Sequence, residues 1–322
     1  MIKKRQWQVD DRQPYDATVA VTGGTGFVGG AVIRRLTQAN LRVRALVRPE
    51  SVASCFQTMG LSWFHGNLTD NQTLRRLLEG ANAVVHCAGA IRGGKEMDFA
   101  AANVEGVANI VHAARQTRGC SRILLVSSLA ARVPELSAYA ESKRRGEDVL
   151  RQESGGSLDW TILRPPAVYG PDDRELRPLL QWLRRGILFV PGDKAGRFSL
   201  IFVADLAQAI LHWIFSDNGG GRCYEIHDGK TNGYCWEDVR RIGETLYRRS
   251  VRRIDIHRRL IKNVARLNTV AADILGYRPM LTPGKVRELC HSDWVCDNTP
   301  FSAATGWQPE VDLRQGLRRT LG

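Results

Sequence analysis

Residues 18–29 read TVAVTGGTGFVG, and the architecture follows from them. Residues 18–21 are a short apolar run, the pattern of a strand covered on both faces. Gly23, Gly26 and Gly29 follow at three-residue spacing, ahead of a helical segment expected over Ala31–Gln38. Gly23 permits the tight turn, Gly26 lets the main chain approach a pyrophosphate, and Gly29 lets helix and strand pack closely. The helix start adds amide donors and a positive dipole end. Thr25, Phe27 and Val28 sit in the same turn and join the expected phosphate cradle. Between a strand and a helix, this turn predicts a bound dinucleotide.

Further strands are expected at 41–47, 61–64, 83–87, 123–127 and 160–164, with helices at 72–79, 99–117 and 138–152. This alternation predicts an α/β protein with a Rossmann-type doubly wound parallel sheet. After Pro165 the alternation is lost in the turn-rich RPPAVYGPDD. The dinucleotide-binding domain is therefore expected over 17–169, and a smaller C-terminal substrate-binding lobe over 170–322. Residues 198–215 read as a strand and helix that return to the first domain.

The second strand ends at Val47-Arg48-Pro49-Glu50. An acidic residue near this point suits the ribose 2′-hydroxyl of NAD. A guanidinium suits the 2′-phosphate of NADP. Arg48 favours NADP over NAD, with Glu50 as the competing signal. Further on, Ser127-Ser128 close the fifth strand and Tyr139 and Lys143 stand one helical turn apart. An ammonium beside a tyrosine lowers its pKa and makes the phenol a proton donor or acceptor near neutrality. Ser128 at the strand end can hold a substrate oxygen beside it.

These residues resemble the short-chain dehydrogenase/reductase superfamily, and more closely its extended branch, the NAD-dependent epimerase/dehydratase family. That branch holds nucleotide-sugar epimerases and dehydratases, hydroxysteroid dehydrogenases and dihydroflavonol reductases. TGGTGFVG at 22–29 is similar to its cofactor fingerprint. Gly66-Asn67-Leu68 resembles its adenine-contacting segment, with Asn67 in place of Asp. His86-Cys87-Ala88-Gly89 resembles its fourth-strand motif, and Asn103-Val104-Glu105-Gly106 the helix with its catalytic-site asparagine. Arg164-Pro165-Pro166-Ala167-Val168-Tyr169-Gly170 resembles the segment leading into the substrate lobe beside the nicotinamide. Gly306-Trp307-Gln308-Pro309 and Gly316-Leu317 resemble the closing segment. The resemblance implies cofactor contacts from Asn67, Leu68, Ala88, Gly89, Pro165 and Val168. It also implies that Lys143 holds the nicotinamide ribose and that Asn103 fixes a proton-relay water.

Three departures stand out. Ser128 and Tyr139 are closer in sequence than in nucleotide-sugar enzymes. Leu129 and Ala130 replace the Asp-Glu pair of the dehydratases. Phe202 and Ala204 replace His and Asp at the lobe junction, leaving Asp205. The expected activity is NAD(P)-dependent hydride transfer at a carbinol or carbonyl carbon, with catalytic residues Ser128, Tyr139, Lys143 and Asn103. A nucleotide-sugar epimerase and a non-catalytic dinucleotide-binding assembly protein remain the alternatives.

Composition narrows the setting. No apolar run in the 322 residues reaches the roughly 18 to 20 needed to span a bilayer. Met1 to Asp16 lacks the apolar region of a secretory signal and is expected to be a disordered tail. The seven cysteines form no CxxC, so neither a disulfide framework nor a metal site is expected, and the cytosol is the expected location. The net charge is +13, much of it between Arg240 and Arg266, but no nucleic-acid motif organises it. Nucleic acid is not an expected partner. A small molecule is, either a nucleotide-sugar or a lipophilic ketone or alcohol. A homodimer is the other open partner. At 257–275, Leu260, Val264, Leu267, Ala271 and Ile274 share one helical stripe, joined by Ile261. The stripe is expected to pack on a core. The alternative is peripheral contact with the inner face of a membrane.

Overall fold

The computed structural model describes residues 17–322, apart from 55, 157, 193–194 and 218–219. The tail expected at 1–16 lies outside the described residues.

The chain opens with β1 (Thr18–Thr22), α1 (Phe27–Gln38), β2 (Arg42–Val47), β3 (Leu61–His65), α2 (Asn71–Leu78) and β4 (Ala83–His86). Next come α3 (Met97–Ala100), a π-helical turn at Ala101–Glu105, α4 (Gly106–Gln116), β5 (Arg122–Val126), α5 (Ala138–Glu153) and β6 (Asp159–Arg164). Alternation then breaks into β7 (Ala167–Tyr169), α6 (Arg177–Arg184), β8 (Ile187–Pro191), β9 (Arg197–Phe198), β10 (Leu200–Phe202), α7 (Val203–Phe215) and β11 (Arg222–Glu225). The last part holds β12 (Tyr234–Cys235), α8 (Trp236–Tyr247), β13 (Arg252–Ile256), α9 (Arg258–Leu275), α10 (Pro283–Leu289), β14 (Asp293–Trp294), α11 (Thr299–Thr305) and α12 (Leu313–Leu321).

Seven parallel strands form the central sheet in the order β11-β6-β5-β4-β1-β2-β3. Every residue of β1 and β4 is buried, because helices cover both faces. Val19 and Val21 face α1 and α7, while Ala20 faces the opposite layer of α2, α4 and α5. The order reverses at β1, which lies between β4 and β2. The crevice at the carboxyl ends of these strands is the natural ligand site of such a sheet.

Three findings differ from the sequence expectations. First, α1 starts at Phe27, so Gly29 and Gly30 lie inside the helix and not ahead of it. Packing against the turn overrides the poor helix propensity of glycine. Second, Arg222–Glu225, expected in the C-terminal lobe, is the edge strand β11 beside β6. Phe301 of α11 and Trp307, both fully buried, also belong to the core under α1 and α7. RCYE, charged at both ends with only Tyr224 buried, carries no apolar run to mark it as a strand. Third, the stripe on α9 expected to pack on a core faces outward. Leu260, Val264, Leu267 and Ile274 are exposed; Ile261 is buried as expected, but beside Ala265 and Ala272 on another face.

The lobe has its own core, with Tyr169, Leu183, Val190, Phe202, Val239 and Leu317 at its centre. It joins the sheet through α7 and the C-terminal segment. Asp205, left alone by the replacements at the junction, accepts the Glu310 and Val311 amides at 3.1 and 2.9 Å. Phe202 meets Tyr169 edge-on at 5.6 Å. Among the described residues, no helix is long and apolar enough to cross a membrane.

Candidate active site

The glycine turn leaves no room for side chains where main chains meet. Gly23 has φ +72°, and a Cβ there would lie 2.6 Å from the Ala88 amide nitrogen. A Cβ on Gly29 would lie 2.2 Å from the Gly23 carbonyl oxygen. Gly26 is the exposed N-cap of α1, with no side-chain cap and no acidic residue in the first turn. Thr25, Phe27 and Val28 are half-buried around it. Uncapped amides at an accessible helix start, without a competing carboxylate, fit a pyrophosphate.

The neighbouring strand ends complete the cradle. The Thr22 hydroxyl meets His86 Nδ1 at 2.9 Å and accepts from the Ala88 amide at 3.4 Å, joining the turn to the loop after β4. Burial, followed by the Lys143 ammonium, pushes the His86 pKa down to about 3, so this imidazole is neutral. The Gly66 amide donates to the Val47 carbonyl at 3.0 Å, which sets Asn67 and Leu68 beside the end of β2. Asn67 is exposed, and its Oδ1 accepts from the Thr69 amide at 2.8 Å. Asn109 holds the Leu68 carbonyl at 2.9 Å. Arg48 is exposed and pairs with Glu50 at 3.2 Å, so the two rival 2′ ligands engage each other.

Asn103 lies in the π-helical turn, buried. Its Oδ1 accepts from the Ala90 amide at 2.8 Å, and its Nδ2 donates to the Ala90 carbonyl and the Ser142 hydroxyl. It therefore fixes the loop carrying Ala88 and Gly89. A Cβ on Gly89 would lie 2.9 Å from Asn103 Oδ1 and 3.5 Å from Lys143 Nζ.

Ser128 and Tyr139 come together at the carboxyl end of β5. The Leu129 amide donates to the Pro165 carbonyl at 2.8 Å, which anchors the Ser128 loop to the segment after β6. Val168, half-buried in β7, pairs with Ile201 of β10 just beyond. Ser137 caps α5 through the Ala140 amide at 2.9 Å and so presents Tyr139 in the first turn. The Ser128 side chain stands close enough to the Tyr139 phenol to lower its pKa, and Phe99 stands edge-on to the ring at 5.9 Å.

The charge acting on this phenol differs from the one expected. Lys143 is buried, and its Nζ donates to the Val126 carbonyl at 2.9 Å. Burial pushes its pKa down to about 8, against the pull of Glu147. The cation at Tyr139 is Lys285 of α10, whose Nζ lies 5.6 Å from the ring centroid. Burial raises the Tyr139 pKa, Ser128 and Lys285 pull it down, and Glu288 pushes it up. Glu288 pairs with Lys285 at 2.7 Å and accepts a hydrogen bond from the Ser137 hydroxyl. Arg287 also donates to the Leu136 carbonyl at 2.7 Å. The lobe thus docks α10 onto the first turn of α5. Sequence reasoning missed Lys285 and Glu288, because a Lys-Glu pair on a short helix reads as a solvated surface pair.

Glu147 was also missed, although it stands one further turn along the Tyr139–Lys143 face. It is fully buried and takes Arg164 in a two-pronged pair at 2.8 and 2.6 Å, with the Ser127 hydroxyl at 2.6 Å. This cluster locks α5 to the ends of β5 and β6.

A nucleotide cradle beside a serine-tyrosine pair and a buried lysine defines a class, and the family follows. The chain belongs to the NAD dependent epimerase/dehydratase family, whose model matches residues 19–226. It is an NAD(P)-dependent enzyme of the extended short-chain dehydrogenase/reductase type. It is 33% identical to the ceramide reductase of Caulobacter vibrioides, covering 94% of this chain and 93% of that protein. It is 28% identical to the decarboxylating sterol-4-alpha-carboxylate 3-dehydrogenase of Schizosaccharomyces pombe, covering 92% of this chain and 95% of that one. Among solved structures, the UDP-glucuronic acid 4-epimerase of Bacillus cereus in complex with NAD shares the fold. Its TM-score is 0.72 at 16% identity, over 94% of this chain and 97% of that chain.

Proposed function

We propose that this enzyme reversibly reduces the carbonyl group of a lipophilic substrate, with NADP preferred over NAD. The observation that carries the chemistry is the Ser128 side chain beside the half-buried Tyr139 at the end of β5, where it lowers the phenol pKa that burial raises. The amides at the start of α1 would hold the pyrophosphate, Asn67 and Leu68 the adenine, and Arg48 the 2′-phosphate in place of Glu50. Ala88, Gly89, Pro165 and Val168 would line the nicotinamide side, with Lys143 on its ribose. When bound, the nicotinamide supplies or accepts hydride at its C4. Ser128 donates a hydrogen bond to the substrate oxygen, and Tyr139 Oη gives that oxygen its proton in reduction and removes it in oxidation. Lys285 stabilises the tyrosinate so formed. Asn103 holds the loop at Ala88 and Gly89 and orders a water at the π-helical turn for the return of the proton.

Two observations favour a lipophilic ketone or alcohol over a nucleotide-sugar. The ceramide reductase and the sterol dehydrogenase match nearly the whole chain. Leu129 and Ala130, buried beside Ser128, offer no acid or base for dehydration. The test is nicotinamide oxidation with ceramide-like and sterol ketones, set beside UDP-glucose. Net oxidation with a lipid ketone, lost in Tyr139→Phe by a factor of about 10² to 10⁴, is the expected result. Interconversion of UDP-sugars with no net change in the nicotinamide would overturn the reading.

A further inference from the structure

The longest of the described helices, α9, has one apolar face more than its packing uses. Ile261 and Ala265 pack with Val286 of α10. The second face lies about a third of a turn away around the helix axis. It carries Leu260, Val264, Leu267, Ile274 and Leu275, and Leu267, Ile274 and Leu275 are each more than 70% exposed. Arg259 and Arg266 border it, with Arg258 and Lys262 beyond them, all exposed. The one carboxylate on α9, Asp273, is taken by Lys95 at 2.8 Å. Elsewhere in the same basic stretch, Arg240, Arg241 and Arg253 pair with Glu237, Glu244 and Asp255. On α9 itself, Arg258, Arg259, Lys262 and Arg266 enter no ion pair among the described residues, so unneutralised positive charge stands beside the apolar face. The loop before α3, with exposed Ile91, and the exposed Met97 that opens α3 are fastened to α9 and the turn after it. The Lys95–Asp273 pair holds them there, as does the Gly93 amide on the Pro279 carbonyl at 3.0 Å.

We propose that this face of α9 rests on an anionic lipid bilayer. The leucines, valine and isoleucine enter the acyl boundary, and the arginines meet the headgroup phosphates along their apolar stems. The charge selects this occupant. A second copy of the same face would bring its own arginines against Arg259 and Arg266, whereas anionic lipid neutralises them. The placement gives the contact a use. The buried face of α9, about a third of a turn away, packs on α10, whose Lys285 stands over Tyr139. A lipid surface at α9 therefore lies one helix away from the reacting phenol. The proposal goes beyond the reaction assigned above, and its readout needs no turnover, so the two fail separately.

The test is sedimentation of the full chain with vesicles of phosphatidylcholine alone or mixed with phosphatidylglycerol. Wild type should sediment with the mixed vesicles and much less with phosphatidylcholine, and salt should weaken the binding. The pair Leu267→Asp and Ile274→Asp should abolish it while near-ultraviolet circular dichroism and dinucleotide binding persist. The pair Arg259→Gln and Arg266→Gln, which leaves the apolar face intact, should weaken it about tenfold or more. Wild type that stays free of both vesicle types overturns the proposal. So does vesicle binding that survives Leu267→Asp and Ile274→Asp. If that pair splits a dimer in size-exclusion chromatography and wild type ignores vesicles, the face belongs to a second copy and the membrane assignment falls.

Discussion

Lys285 holds its ammonium 5.6 Å from the centre of the Tyr139 ring, although Tyr139 lies near the middle of the sequence and Lys285 far beyond it in the lobe. The lobe therefore supplies the positive charge that acts on the phenol of the dinucleotide-binding body. Alcohol oxidation needs tyrosinate, so its rate rises with pH through the phenol pKa. Burial raises that pKa, and Lys285 opposes the rise. In Lys285→Met the opposition is gone and Glu288 faces the phenol unneutralised. The rising limb of the pH–rate profile should move to higher pH, with a loss of about tenfold at neutrality, the size expected for one nearby opposite charge. Lys285→Arg should restore the wild-type limb. A purely structural role would lower the rate without moving the limb.

Lys143 should show a conflict between stability and turnover. Its folded pKa, about 8, lies below its ordinary value of 10.5, because burial disfavours the ammonium. Between those two values the unfolded chain binds more protons, so this residue makes stability rise with pH there. Below about pH 8 the charged form burdens the fold in full. Lys143→Met should therefore melt a few degrees higher than wild type at neutral pH while losing turnover. The gap in melting temperature should shrink as the pH passes 8. A variant that melts lower at neutral pH would mean that the bond to the Val126 carbonyl outweighs the burial of charge.

Arg48 decides the nucleotide under the proposed function. Arg48→Ala should weaken NADPH binding by about 1 to 3 kcal/mol, the range for a hydrogen bond to a charged group. NADH binding should change little. Calorimetry with both nucleotides separates the outcomes. Equal losses would remove Arg48 from the 2′ position and leave Glu50 as the ribose ligand.

Glu147 should govern part of the acid sensitivity. Burial pushes its pKa up, but Arg164, Ser127 and Arg151 outweigh this and hold the carboxyl below its ordinary 4.5. The depressed folded value means that its stabilisation is complete above that ordinary value. It is lost as the pH falls further, through the folded value. Glu147→Gln leaves Arg164 buried without its counter-charge, at a cost of about 3–5 kcal/mol. Denaturant melts at stepped pH should show wild type losing stability below the ordinary glutamate value, and the variant losing less there. Parallel acid slopes would count against this cluster.

The glycine turn and the strands β1 to β6 were legible because each is a short apolar run next to a residue type with one physical task. Ser128 and Tyr139 were legible as a pair because a strand end and a helix start lie close in sequence. The strands β7 and β11 were not: AVY sits in a proline- and glycine-rich segment, and RCYE has charges at both ends and only Tyr224 buried. Lys285 was invisible for another reason. Its role depends on Ser137, Leu136 and Glu288 meeting across the molecule, and nothing local to PGKVREL marks it. The stripe on α9 was read correctly as a stripe and assigned the wrong neighbour. Periodicity reports that a helix has an apolar face, not what covers it.

Trp307 and Phe301 lie fully buried beneath α1 and α7, far along the chain from the glycine turn they support. This order of residues constrains synthesis. A nascent chain that has emerged only as far as β6 already carries the nucleotide turn and six strands. It lacks α7, β11 and the indole that close one side of the sheet. On this face, β1, β4 and β5 have α1 as cover at first, gain α7 later, and receive Phe301 and Trp307 later still. A message truncated late in its reading frame would therefore yield an aggregation-prone chain and not a small nucleotide-binding protein.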